Sequence, residues 1–227
     1  MAALNEFSKS RLIIGEGYED AIFVEQLIRT PARRLPDFDI QANEDLGGVG
    51  GNTGFYWAVM AADAKRNFSS VSDVVIIADN DDSAGNRGMF VNICDQIKRA
   101  KDGGHLNRDW AIPQRPESRE LGDPSVSIWM LPADKRPGCL ETLLWEAITN
   151  QRGHAKDVAC VETACSCSGA DAWPASKFDK ARVRCFLSLV CRANPSVSFN
   201  NLWRDFPNLI PMNQRAFTPL ADFLRQI

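Results

Sequence analysis

A chain of 227 residues, 44% hydrophobic and 24% charged, is long enough to bury one sizeable α/β core and short for two equal domains. A formal charge of −3 argues against a freestanding, tight nucleic-acid binder, although each bound divalent ion would restore two positive charges. Seven cysteines, an odd number scattered along the chain, fit a reducing compartment better than a disulfide framework. The start, "MAALNEFSKSRLIIGEG", has no basic stretch followed by an apolar one, and no apolar run approaches the length of a membrane span, so a soluble cytoplasmic protein with no membrane partner is expected.

The first predicted strand is Arg11 to Ile14, closed by Gly-Glu-Gly so that Glu16 lies at its carboxyl end. A helix follows in "YEDAIFVEQLIRT", where Phe23, Val24, Leu27 and Ile28 share a face and Glu19 and Asp20 sit in the first turn. "FDIQAN" reads as a second strand, "LGGVGGNTG" as a glycine-rich turn, and Phe55, Ala58, Val59 and Ala62 as the stripe of a second helix. "DVVIIAD" is a continuous, β-branched run of the kind that parallel strands buried on both faces use. A third helix carries Phe90, Ile93 and Ile97. From Gly103 to Pro124 the chain is polar and rich in Gly, Pro and Arg, which reads as a long and functional loop. "VSIWML" is a fourth strand, and Leu140, Leu143, Leu144 and Ile148 stripe the helix after it.

This alternation implies an α/β fold, a mostly parallel four-stranded sheet flanked by helices, over residues 1–152. Beyond Gly153 "HAKDVACVETACSCSGADAWPAS" shows no sustained period, while "KARVRCFLSLVCRA" and "PLADFLRQI" read as helices, so 153–227 is expected to be a helical extension packed on the sheet.

Strand ends in a parallel sheet gather along one edge, which is where open α/β proteins place their sites. Glu16 ends the first strand and Asp79 the third; Asp81, two residues on, can point the same way as Asp79, and Asp20 lies one helical turn beyond Glu16. Oxygen donors without histidine select Mg²⁺ or Mn²⁺ over zinc.

The strings "IIGEGYED" and "VVIIADND" resemble the Toprim domain shared by topoisomerases, bacterial primases, overcoming-lysogeny (OLD) nucleases and small standalone relatives; "VSIWMLPADKRPGCLETLL" is similar to the standalone Toprim-like proteins. The resemblance covers the first two thirds of the chain. It implies a Toprim-like (Rossmann-like) fold in which Glu16 serves as acid/base or metal glutamate and Asp79 and Asp81 as metal-binding aspartates, with Asp20 and Glu141 at acidic positions of the nuclease branch. It also implies metal-assisted phosphoryl transfer on DNA or RNA, with an ATPase partner, a place in phage defence or DNA/RNA processing, and room for a homo-oligomer. Lys135 and Arg136, just past the fourth strand, and Arg87 are the cations expected to meet phosphate. No catalytic tyrosine is identifiable, the middle residue of the Asp-x-Asp pair is Asn80, and the chain is too short for a primase's zinc module.

Plainer readings stand beside these. Asp82 or Ser83 can cap the third helix, and Glu141 can simply favour the start of its own. The glycine-rich run lacks the Lys-Ser/Thr of a P-loop, and Cys160, Cys165 and Cys167, with His154 nearby, lack paired zinc-knuckle spacing and are read as idle thiols. Trp145, Trp173 and Trp203 are read as core. The chief alternative function is a non-catalytic binding or regulatory subunit of the same fold; a phosphoacceptor receiver domain is excluded because its acidic pair belongs on the first strand.

Overall fold

The computed structural model describes residues 6–51, 53–81, 88–133 and 135–227. Its five strands are β1 (Arg11–Gly15), β2 (Asp39–Ala42), β3 (Asp73–Asp79), β4 (Arg119–Glu120) and β5 (Ser125–Leu131), in the order β2-β1-β3-β5-β4. β2, β1, β3 and β5 run parallel, and β4 pairs antiparallel to β5 at the edge. The register sets Gly15 opposite Ile77 and Asp79 opposite Leu131, so β3 and β5 reach further than β1 along the same edge.

The connecting helices of the first part are α1 (Tyr18–Ile28), α2 (Phe55–Asp63), α3 (Met89–Asp102) and α4 (Leu140–Thr149). Side chains alternate across the sheet. Leu12, Ile14, Val74, Ile76, Ala78, Ile128 and Met130 meet α2 and α3 on one face. Ile13, Val75, Ile77, Trp129 and Leu131 meet α1, α4 and the C-terminal helices on the other. β1, β3 and β5 are therefore buried on both faces, which is why β3 is a nearly unbroken apolar run.

Four strands were expected and five are present. β4 lies inside the 103–124 stretch, whose backbone is organised by anchors that periodicity does not reveal. Arg119 bonds Asp73 through Nε at 2.7 Å, and Glu117 N donates to Ile128 O at 2.8 Å. Trp110, fully buried in the same stretch, stacks on Phe68 at 5.3 Å and donates its indole N–H to Asp63 at 2.8 Å. These contacts tie the stretch to the core as a structural strap.

The C-terminal part forms α5 (Ala155–Cys167), α6 (Ala175–Val190), α7 (Phe199–Asp205) and α8 (Thr218–Arg225). α5 occupies the segment that shows no period, because only Val161 and Cys165 of it are buried and no apolar stripe is needed. Trp145 and Trp203 are in the core as expected, whereas Trp173 is 51% exposed, since it precedes α6 at a bend and faces outward. Phe217 packs on Phe23 at 5.1 Å and Phe223 on Trp129 at 5.0 Å. Arg33 donates to Met212 O, Gln214 O and Thr218 Oγ1, so the tail is sewn to the α1–β2 connection. All seven cysteines are free. Among the described residues no helix is long and apolar enough to cross a membrane.

Candidate functional site

The parity of β3 decides where its terminal acid goes. Val75 and Ile77 face α1, α4 and the tail, so Asp79, two residues further, emerges on that side at the start of α4. There Leu140 N, the first amide of α4, donates to Asp79 Oδ1 at 3.0 Å, as helix N-termini do for anions. α4 can begin at this point because Gly138, at φ +146°, makes a turn that L side chains resist, and Cys139 N then donates to Thr142 Oγ1 at 3.1 Å. Asn80 fastens the same connection: its N–H donates to Leu131 O, its carbonyl accepts from Gly138 N, and its side-chain amide donates to Arg136 O.

Glu16 continues β1, with its own N–H on Ile77 O at 2.9 Å, and its Oε2 accepts the backbone N–H of Asp79 at 2.9 Å. The two strand-end acids are thus joined directly. Asp20 turns back to accept from Gly17 N at 3.0 Å, closing the first turn of α1. Glu44 arrives from the short helical turn Asn43–Leu46 after β2, and the glycine-rich run wraps closely round it. A Cβ on Gly50 would lie 2.4 Å from Glu44 Oε1.

Glu16, Asp20, Glu44, Asp79 and Glu141 line one cavity of about 350 Å³ together with Lys180 of α6, whose Nζ stands 3.4 Å from Asp79 Oδ2. Four acids singled out in the sequence, Glu16, Asp20, Asp79 and Glu141, are therefore brought together. Asp81 does not line the cavity, but its charge acts on Glu16 and Asp79, and its Oδ1 is buried without a hydrogen-bond partner among the described residues. Lys135 is exposed on the connection after β5 and lies outside the lining, and Arg136 pairs with Glu146. Asp82, Ser83 and Arg87 lie outside the described residues. Lys180 and Glu44 were not legible as site residues. Lys180 is 101 positions from Asp79 on a helix whose sequence gives only an apolar stripe, and Glu44 sits in a polar turn with no motif around it.

Crowding acids out of water raises their proton affinity. Burial, then the neighbouring Glu16 charge, pushes Asp79 up to about 8. Burial and the charges of Asp79 and Glu16 hold Asp20 well above the usual carboxylate range. Glu16 is raised by burial, partly offset by the Asp79 N–H, and Glu141 is raised by burial against the pull of Lys180. Burial works against the Lys180 ammonium, but the charges of Asp79 and Glu141 outweigh it and raise its pKa. Asp79 thus keeps a proton near neutral pH, the other three acids are shifted in the same direction, and Lys180 stays charged.

Among the described residues no three Asp, Glu, His or Cys side chains stand in the arrangement of a metal site. The donor chemistry does fit a hard cation. The cavity's acids offer oxygen alone, and among the described residues Asp81 Oδ1 and Glu44 Oε2 are buried with no partner. No curated protein and no solved structure matches the chain. The sequence model of a family described as "Protein of unknown function (DUF3226)" matches residues 10–227, and the chain belongs to that family.

Proposed function

We propose that the carboxylate cavity is the centre of a Mg²⁺- or Mn²⁺-dependent, Toprim-like nuclease or related phosphodiester-processing enzyme acting on DNA or RNA. The observation that carries this reading is the convergence of Glu16, Asp20, Glu44, Asp79 and Glu141 on one cavity, with Lys180 as the one lysine among the described residues to neutralise them. Such a cluster is costly unless protons or a cation offset it. Glu16, Asp20, Asp79, Asp81 and Glu141 are the residues to hold the ion, which when bound supplies Lewis-acid stabilisation of a phosphodiester and a more acidic water.

The chain's own contributions follow from the geometry. Leu140 N and Asp79 N each fix one carboxylate oxygen, of Asp79 and Glu16 respectively, and so set the orientation of both acids. Glu16, more basic than a free glutamate, is suited to take or hold a proton at its carboxylate. The Lys180 ammonium beside Asp79 offers a positive group for a phosphate oxygen; Lys135 can contribute only from outside the cavity. In this reading an ATPase partner delivers the nucleic acid, in keeping with the chain's acidic balance, in phage defence or nucleic-acid processing.

The test is cleavage of single-stranded, nicked and supercoiled DNA and of RNA by the full chain in Mn²⁺ or Mg²⁺. Cleavage is expected to fall by about two orders of magnitude in Asp79→Ala. A second reading, a non-catalytic binding or regulatory subunit, is favoured by the Lys180–Asp79 contact at 3.4 Å, which already neutralises part of the cluster. Clean protein that cuts none of these substrates, with or without an ATPase partner, favours that second reading.

A further inference from the structure

Beside the carboxylate cavity, and sharing Lys180 with it, lies a second cavity of about 440 Å³ lined by Trp173, Pro174, Lys177 and Lys180. Its composition is opposite in sign to its neighbour's. Lys177 and Lys180 stand three residues apart on α6 and so share a face of the helix. Of the four cations at positions 177–184, Lys180, Arg182 and Arg184 have carboxylate partners among the described residues, and Lys177 has none. Trp173 stands 51% exposed at the edge of this groove, an indole face left in water next to an unneutralised ammonium. A single exposed tryptophan means little. An exposed tryptophan, a proline and two lysines in one groove that shares Lys180 with an acidic cavity have a more specific chemistry: an aromatic plane for a base and cations for the phosphates either side of it.

We propose that this groove is a subsite for single-stranded nucleic acid, with a base stacked on Trp173, the adjoining phosphate held by Lys177, and Lys180 marking the passage of the strand toward the carboxylates. The inference rests on the reading of the cavity as a phosphodiester centre and adds to it a substrate form and a direction of approach. Duplex DNA has no unstacked base to offer Trp173, so the groove selects single strands. It also answers the charge balance, since a chain of net charge −3 needs its cations concentrated to hold a phosphate backbone.

The experiment is fluorescence anisotropy of a short fluorescein-labelled oligothymidylate, its oligouridylate counterpart and the same oligothymidylate annealed to oligodeoxyadenylate, titrated with the full chain in chelator so that no cleavage occurs. Trp173→Ala is expected to weaken binding about tenfold and Trp173→Phe to retain most of it. Lys177→Ala is expected to weaken binding and lower the slope of log affinity against log salt by about one. Trp57, 52% exposed and lining neither cavity, gives the control, and Trp57→Ala should bind as the parent does. Because Trp173 and Lys177 are at the surface, unchanged thermal unfolding shows that the variants are folded. No binding by the parent chain, parent-like binding by the Trp173→Ala, Lys177→Ala double variant, or equal binding of duplex and single strand overturns the subsite. Binding that is lost in Trp173→Ala with no cleavage in Mn²⁺ keeps the subsite and removes the nuclease; cleavage with parent-like binding in the variants does the reverse.

Discussion

Asp79 carries three demands at once. It ends the central strand, accepts the first amide of α4 and faces Lys180, the only ammonium lining the cavity among the described residues. An acid whose pKa lies above its unfolded value holds a proton in the folded chain that the unfolded chain has released, so stability falls as pH rises through that interval. For Asp79 the interval runs from its ordinary 3.8 to about 8, and Asp20, Glu16 and Glu141 act in the same sense. The metal-free chain is expected to unfold at a lower urea concentration at about pH 8 than at about pH 5, each group contributing at most about 1.4 kcal/mol per pH unit. Asp79→Asn, neutral throughout, should flatten that dependence. Equal midpoints at the two pH values in the parent chain would show that the carboxyls are ionised and otherwise stabilised.

Elements place these residues, and the connection from β5 to α4 does most of it. Gly138 sits at φ +146°, and a Cβ there would lie 2.5 Å from Thr142 Oγ1, the group that caps Cys139 N. Gly138→Ala is expected to cost about 1–3 kcal/mol through backbone strain and loss of that cap. The expected readout is a lower urea midpoint with an unchanged slope; an unchanged midpoint would mean the turn relaxes freely. The parallel strands were legible because burial on both faces leaves unbroken runs such as "DVVIIAD". β4 was not, because two residues held by Arg119, Glu117 and their partners carry no period. α5 escaped for the opposite reason, being a helix that lies mostly in water.

At the scale of the whole molecule the tail completes both the sheet's cover and the site. Phe217 and Phe223 pack on Phe23 and Trp129, Arg33 binds three groups between Met212 and Thr218, and Lys180 reaches Asp79 from α6. The acids of the site were legible because strand ends in a parallel sheet share an edge, so Glu16 and Asp79 could be placed together from local sequence alone. Lys180, Glu44 and the outward turn of Trp173 were not, because each depends on how distant segments dock. The carboxylate cluster is proposed to hold a hard cation. The most direct test is a calorimetric titration of Mn²⁺ into the full, metal-free parent chain and Asp79→Asn. Saturable binding to the parent that is lost or weakened by about tenfold or more in the variant is predicted; no heat of binding in the parent, or the same affinity in both, would contradict it.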